Sequence, residues 1–281
     1  MKSRIVLGIF ALLLMSGSFT GTAVAQDSIY SASGDVAVVS KYIWRGQRLT
    51  NDWSLQPSMT LGAGGFAFNA WGTIDMTAVN PGDALPITGG GDGLQGKFTE
   101  VDYTFSYDHS FEDVSVGVGT IFYAFPDRGA SLATTTEIYG TLSFDSAPLA
   151  PSITAYFDVD ETNAGGGTSG VYVNFGVGHS FAFNHDVFTG LDFSASIAFA
   201  NSGFGDFYYG AGPGGGVHDT SITLGLPIAI DDNWSAGGFL TYSGLIGDYR
   251  GSQYGDPRVT GSGGASMADT VWGGFSLSVS F

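Results

Sequence analysis

The C-terminal segment of the chain alternates between two kinds of side chain, and this pattern restricts the possible folds more than any other feature. In Val271–Phe281 the odd positions are apolar residues and one glycine, whereas the even positions are Trp272, Gly274 and three serines. A period of two places alternate residues on opposite faces of an extended strand. The segment is therefore predicted to form a β-strand with one apolar face and one face of mostly small polar side chains.

A closing strand that ends on an aromatic residue, here Phe281, is typical of bacterial outer-membrane β-barrels. In such a barrel the apolar faces of the strands contact lipid and the polar faces line a lumen. We expect the barrel-assembly machinery to engage this last strand. The expected location is the outer membrane of a Gram-negative bacterium.

The N-terminal residues are consistent with export. Lys2 and Arg4 precede an apolar core, Ile5–Met15, and the small residues Ala23–Ala25 offer a cleavage site. The core is too short to cross a bilayer as a helix. We therefore expect a signal peptide over residues 1–25 and an outer-membrane barrel over residues 26–281.

The composition narrows the class further. Glycine accounts for 45 of the 281 residues, aromatics for 14% and charged residues for only 12%. No apolar run reaches the roughly 18 residues that a transmembrane helix needs. Without cysteine, the chain forms no disulfide, lipid-anchored cysteine or thiolate metal site. The net charge of −17, or −19 once Lys2 and Arg4 are removed, argues against a nucleic-acid partner.

Twelve segments show the alternation expected of membrane-spanning strands, an even number as in single-chain bacterial barrels. In the clearest of them Val101, Tyr103 and Phe105 share one face, and the acids Glu100 and Asp102 lie on the other. The predicted fold is all-β, a transmembrane antiparallel up-and-down β-barrel of about 12 strands. The segments are Asp35–Arg45, Trp53–Leu61, Phe66–Met76, Lys97–Tyr107, Val114–Phe125, Thr135–Asp145, Ile153–Asp160, Val171–Phe181, Val187–Phe199, Ser221–Ile230, Trp234–Leu245 and Val271–Phe281.

The connections alternate between short turns and long loops rich in Gly, Asp and Pro, which places both termini on the periplasmic side. We expect the long connections to be external loops. These loops are Gln47–Asp52, Thr77–Gly96, Pro126–Ala133, Glu161–Thr168, Asn201–Val217 and Ile246–Ala268. Tyr42 and Trp44 are expected in the aromatic girdle at the external end of the first strand.

Several blocks of the mature chain resemble one family. Ser33-Gly34-Asp35-Val36, followed by Ser40-Lys41-Tyr42-Ile43-Trp44-Arg45-Gly46-Gln47, is similar to the opening of the TorF-type porins. Blocks at residues 55–57, 65–73, 100–103, 123–126 and 136–140 follow in the family's order. The resemblance implies an outer-membrane barrel and gives no substrate.

The alternation also predicts which side chains line the lumen. Strands about 4.8 Å apart, tilted by about 40°, give a twelve-stranded backbone a radius of roughly 12 Å. Many inward positions are small, so a water-filled lumen is expected. The charged residues predicted to line it are Lys41, Arg45, Asp75, Glu100, Asp102, Glu137, Asp145, Asp158, Asp160 and Asp192. The alternative is that Lys41 and Arg45 pair with Glu100, Asp102 or Glu137 and fill the interior.

These features favour a channel for passive passage of small hydrophilic solutes or ions, with a preference for cations because the lining is acidic. The alternative function is a closed structural or adhesive barrel that binds a partner through its long external loops. No cofactor or metal is expected. The histidines, His109, His179, His185 and His218, form no predicted triad with a serine and a carboxylate, so an enzyme is not expected.

Overall fold

The computed structural model describes residues 29–77, 95–126, 134–160, 169–209, 214–251 and 268–281. These ranges contain fourteen strands, one α-helix, α1 (Ser202–Tyr209), and a 3-10 helix (Gly247–Gly251). The strands are β1 (Tyr30–Val39), β2 (Tyr42–Trp44), β3 (Gln47–Thr50), β4 (Ser54–Ala63), β5 (Phe66–Asp75), β6 (Phe98–Phe111), β7 (Val114–Ala124), β8 (Thr135–Ser143), β9 (Ser152–Asp158), β10 (Val171–Ala182), β11 (Gly190–Ala200), β12 (Gly216–Ala229), β13 (Trp234–Leu245) and β14 (Asp269–Ser280).

Twelve of these strands close into one antiparallel barrel, as predicted. Each strand from β4 to β14 pairs with its neighbours in the chain, and β1 pairs with both β4 and β14. The closing pair places Gly34 opposite Val279 and Ala37 opposite Ser276. Closure leaves no unpaired strand edge, which is what a bilayer requires of spanning strands.

The outer surface of the barrel is apolar and the inner surface is polar. Phe275 and Phe66 point outward and are 71% and 66% exposed, whereas Ser276, next to Phe275, is buried inside. The alternation of the predicted strand Lys97–Tyr107 appears in β6, where Phe105 faces outward and Asp102 faces inward. An outward apolar belt over a polar interior is the arrangement of barrels that sit in lipid.

Short and long connections emerge at opposite ends of the barrel. We call the end with short connections, such as residues 64–65 between β4 and β5, the turn end. The opposite end, which carries the long connections, is called the loop end. Residues 1–28 and much of the long connections lie outside the described ranges, including the predicted signal peptide and most of Thr77–Gly96.

The first predicted strand, Asp35–Arg45, is wrong at its C-terminal half. The barrel strand β1 ends at Val39, and residues 42–50 form the separate β2–β3 hairpin, part of which was predicted to be an external loop. Residues 42–49 are all buried, so both faces of the hairpin are covered by protein. Tyr42 and Trp44 accordingly lie inside the barrel and not in an outer girdle. An alternation test detects strands with one buried face and misses a hairpin that is buried on both.

The reversal between β2 and β3 takes only two residues. Arg45 and Gly46 both have positive φ, at 47° and 75°. Two consecutive residues with positive φ form the type I′ turn that suits a two-residue hairpin. Gly46 adopts this conformation without strain, whereas an arginine there is energetically unfavourable and must be held by its surroundings.

The predicted loop Asn201–Val217 contains helix α1. Asn201 lies just before the helix, and its Oδ1 accepts a hydrogen bond from the backbone N–H of Phe204 at 2.9 Å, a typical N-cap. The same oxygen also accepts from the backbone N–H of Val171 on β10, which fixes the helix to the barrel wall. Among the described residues, no helix combines the length and apolar character that crossing a bilayer demands.

Candidate functional site at the loop end of the lumen

The β2–β3 hairpin and helix α1 pack against each other inside the loop end of the barrel, and we call the two together the insert. The ring of Trp44 stacks on Phe204 with centroids 6.0 Å apart and contacts Tyr208 at 4.9 Å. Trp44 also meets Tyr123 of β7 edge-on at 6.5 Å. The insert is therefore one packed unit that touches the barrel wall.

The strongest contact between insert and wall is an ion pair at the tip of the hairpin. Arg45 Nη1 and Nη2 donate to Glu137 Oε1 and Oε2, each at 2.7 Å. The hydroxyl of Tyr123 donates to the same carboxylate at 2.8 Å. Side-chain exposure is 4% for Arg45 and 1% for Glu137. A forked pair of charge-assisted hydrogen bonds in a water-poor site is among the strongest polar contacts a protein makes.

Aromatic rings surround the guanidinium of Arg45. Its carbon Cζ lies 4.3 Å from the ring centroid of Tyr172, 4.5 Å from Tyr156 and 4.6 Å from Trp44. Cations within about 6 Å of an aromatic face are attracted by the ring quadrupole. We call the set Glu137, Trp44, Tyr156 and Tyr172 the Arg45 cage.

Charge in the cage keeps Arg45 ionised. Burial disfavours a charged guanidinium, but the charge and hydrogen bonds of Glu137, together with Tyr123 and Tyr172, outweigh burial and hold the pKa of Arg45 well above its ordinary value. The tip of the hairpin thus carries a permanent positive charge that a wall carboxylate neutralises.

A second contact joins helix α1 to the wall at Asp158. Its Oδ2 accepts from the hydroxyls of Tyr208, at 2.9 Å, and Thr135, at 2.7 Å. Burial, together with the charges of Glu137 and Asp158, raises the pKa of Tyr208 well above its ordinary value. The phenol therefore remains a donor throughout the physiological pH range.

A third contact lies on β12, where Asp219 meets the hairpin and the wall. Asp219 Oδ2 accepts from the Tyr172 hydroxyl at 2.8 Å and is 2.6 Å from His218 Nδ1. A methyl group added at Gly46 would come within 2.8 Å of the Asp219 Cβ and 3.0 Å of Leu245 Cδ2. Gly46 is therefore required both for its positive φ and for this close approach.

The structure brings five of the predicted lining residues to the loop end, all of them buried. They are Arg45, Glu100, Asp102, Glu137 and Asp158. Asp102 of β6 lies opposite Trp71 of β5 and Tyr123 of β7 in the register. The pairing of Arg45 with Glu137 matches the alternative in which charges pair and fill the interior, although the pair joins the hairpin to β8 instead of two neighbouring strands.

The other five predicted lining residues are not part of this buried group, although Lys41, Asp75 and Asp160 also lie toward the loop end. Lys41 is half-buried in the bend before β2 and is not on a barrel strand. Asp75, at the end of β5, accepts from Thr50 Oγ1 at 3.2 Å, and Asp160 follows the end of β9. Asp145 lies in a turn after β8, where it accepts from the hydroxyls of Ser115 and Ser143, and Asp192 is on β11 toward the turn end.

Sequence reasoning missed the aromatic and helical parts of this site. The alternation places Tyr139, Tyr156 and Tyr172 on the polar faces of their strands, which was a usable signal that aromatic side chains enter the lumen. Phe204 and Tyr208 gave no such signal, because they lie in a segment predicted to be a loop. Their position depends on packing against Trp44, which is distant in the chain.

Small inward side chains near the middle of the strands and toward the turn end hydrogen-bond across neighbouring strands. The hydroxyls of Thr141 and Thr154 are 2.7 Å apart, and those of Thr223 and Thr241 are 2.8 Å apart. Ser196 and Ser221 form a third such pair at 2.9 Å.

The site lacks the ligand set of a metal centre. Within the described ranges, no three His, Cys, Asp or Glu side chains converge as they would around an ion. Its chemistry is instead that of a polar and aromatic constriction.

Solved structures with a similar fold are outer-membrane proteins. An outer-membrane channel of the COG4313 group from Pseudomonas putida F1 superimposes with a TM-score of 0.51 at 8% identity, covering 94% of this chain and all of that one. The NanC porin gives a TM-score of 0.46 at 11% identity, with 89% of this chain and 98% of that chain covered. The KdgM porin gives 0.44 at 9% identity, with 89% and 99% covered. At these identities the similarity shows the fold.

Curated proteins give no match to this sequence. One family model does match, over residues 23–220, and its description is a bacterial protein of unknown function. The matched range covers more than half of the chain and includes the hairpin, the Arg45 cage and helix α1. The chain belongs to this family of bacterial proteins, Gcw_chp.

Proposed function

We propose that this protein is a TorF-type outer-membrane channel through which small hydrophilic solutes or ions pass by diffusion, with a preference for cations. The observation that carries the proposal is a closed twelve-stranded barrel with an apolar outer surface and a lumen lined by small hydroxyls. The outer surface of such a barrel suits contact with lipid, and its inner surface suits contact with water.

The outer surface supports a membrane location. Phe275 and Phe66 are mostly exposed, as are Val271 and Leu240 on neighbouring strands. In water, an apolar surface around the whole barrel would promote aggregation, whereas in a bilayer it is the favourable contact surface. Together with the expected signal peptide, this surface favours the outer membrane, where the closing strand ending at Phe281 would be handled by the barrel-assembly machinery.

The size of the lumen supports a narrow path. A twelve-stranded backbone has a radius of roughly 12 Å, and serines, threonines and glycines take little of that space near the turn end. The insert occupies the loop end, so the constriction lies there. This geometry suits ions and small solutes better than polymers.

The balance of charges inside the lumen supports cation preference. Arg45 is matched by Glu137. Among the described residues, Arg48 is the other buried arginine, whereas Asp158 and Asp219 add buried acids. A cavity with an excess of one sign concentrates counterions of the other sign.

A closed structural or adhesive barrel is the second candidate, and the insert is the observation that favours it. If the insert closes the lumen at the loop end, the external loops would form the functional binding surface for a partner. The same electrical experiment separates the two functions.

The experiment is single-channel recording in a planar bilayer under a salt gradient. We expect steady conductance with a reversal potential that indicates cation preference. The Asp158→Asn variant should reduce this preference, and the matched control Asp186→Asn, an exposed turn residue, should not. No conductance from barrels whose strand content is confirmed by circular dichroism would contradict the channel and support the closed barrel.

A further inference from the structure

The wall side of the Arg45 cage is built by three consecutive barrel strands. Glu137 lies on β8, Tyr156 on β9 and Tyr172 on β10, and the two tyrosines are directly opposite each other in the register. Tyr123 of the preceding strand β7 holds the Glu137 carboxylate at 2.8 Å. Because all four residues belong to the barrel wall, this part of the cage does not depend on the hairpin for its position.

From this geometry we infer that Glu137, Tyr156 and Tyr172 form a binding site for small guanidinium cations, in which Arg45 is a tethered ligand. A soluble guanidinium compound that enters the lumen would exchange with Arg45 and release the tip of the hairpin. The exchange rests on the proposed channel function, since the solute must reach the lumen, whereas the site itself does not.

The contacts specify the chemical class of the ligand. Both carboxylate oxygens of Glu137 accept in parallel at 2.7 Å, which matches the planar fork of a guanidinium and not the single charged group of a primary amine. The rings of Tyr172 and Tyr156, 4.3 and 4.5 Å from the guanidinium carbon, contact the same flat group. A strongly hydrated ion such as sodium makes neither set of contacts.

The backbone of Arg45 makes exchange feasible. Its backbone φ of 47° is one that residues other than glycine rarely adopt, so the bound position stores backbone strain. Release of the tip relieves that strain and partly compensates for the lost ion pair. The free energy that a competing ligand must supply to displace Arg45 is therefore smaller than the full strength of the Arg45 contacts.

The site is tested by removing the tethered ligand. The Arg45→Gly variant keeps the positive φ without strain and leaves the guanidinium space empty. Isothermal titration of the folded, detergent-solubilised variant with methylguanidinium should show binding with a dissociation constant in roughly the millimolar range. Adding Glu137→Gln to this variant should weaken binding at least tenfold, and sodium should bind at least tenfold more weakly than methylguanidinium.

Exchange is tested in the wild-type protein by recording conductance with methylguanidinium at up to tens of millimolar. We expect more frequent open states than with an equal concentration of sodium, and little response in the Glu137→Gln variant. No binding to the folded Arg45→Gly variant overturns the site. If methylguanidinium binds that variant but has no effect on a conducting wild-type channel, the proposed exchange with Arg45 is overturned. If the wild type never conducts, the channel function is contradicted, and the titration of the Arg45→Gly variant still tests the binding site.

Discussion

The two halves of the lumen differ in composition and in how they are filled. Near the turn end, inward positions carry mostly serine, threonine and glycine with a few acids such as Asp192, and hydroxyl pairs such as Thr141 and Thr154 connect adjacent strands. Near the loop end, inward positions carry tyrosines and acids, and the insert fills the space between them. The contrast shows that one barrel wall can carry small paired hydroxyls in one half and a packed aromatic insert in the other.

The difference has a physical basis. Small hydroxyls satisfy one another, water or an acid on a neighbouring strand, so the turn half needs no inserted segment. Buried acids such as Glu137 and Asp158 require partners, because a charge removed from water without compensation is strongly destabilising. The loop half therefore depends on donors brought in by the insert, namely Arg45 and Tyr208.

The largest expected effect comes from breaking the ion pair in the loop half. Glu137→Ala leaves the buried Arg45 without its carboxylate and should lower the free energy of unfolding by about 3–5 kcal/mol. The measurement is urea unfolding of the barrel refolded into lipid vesicles. The control Asp192→Ala removes an inward acid of β11 nearer the turn end and should change stability by less than about 1 kcal/mol. Equal effects of the two substitutions would remove the distinction between the halves.

The next effect tests how tightly the hairpin tip fits. Gly46→Ala introduces an unfavourable φ and a methyl group 2.8 Å from the Asp219 Cβ, and should cost about 2–4 kcal/mol. Gly64→Ala is the matched control, because Gly64 also has a positive φ, 61°, but nothing lies within 4 Å of the added methyl group. It should lose only about 1–2 kcal/mol in the same assay. If the control loses as much, steric fit at the tip contributes nothing.

The smallest effect concerns the helix contact. Tyr208→Phe removes the donor to Asp158 and should lower the free energy of unfolding by about 1.5 kcal/mol. Tyr103→Phe, on the outer face of β6, should be close to neutral. Urea unfolding at a series of pH values provides the measurement.

The pH dependence of this effect has a defined sign. The pKa of Tyr208 is raised on folding above its ordinary value of 10.0, so the protonated phenol stabilises the folded state. The advantage of wild type over Tyr208→Phe should be complete below about pH 10 and should shrink as the pH rises further. An advantage that grows with pH would contradict the assigned donor role.

The wall of the barrel was predictable from the sequence because its signal is local. The register of Glu100 and Asp102 against Tyr103 and Phe105 follows from a period of two and the requirement that one face meet an apolar phase. The loop-end site was predictable only in part. Glu137 and Asp158 lie on the inner face, as the alternation predicts. Arg45 also lies in the lumen as predicted, but on the hairpin and not on a barrel strand, and Tyr208 was not predicted, since both belong to segments whose neighbours in space are far away in the chain.

By itself the sequence determined an antiparallel barrel of twelve strands, its apolar outside and its polar inside, because alternation fixes which side of a strand each residue occupies. The tertiary structure alone decided that residues 42–50 turn back into the lumen and that Arg45 contacts Glu137, 92 positions later. The physical reason is that a segment buried on both faces shows no alternation of apolar and polar residues from which its position could be predicted. Its place is set by the charges and rings that strands from distant parts of the chain bring together.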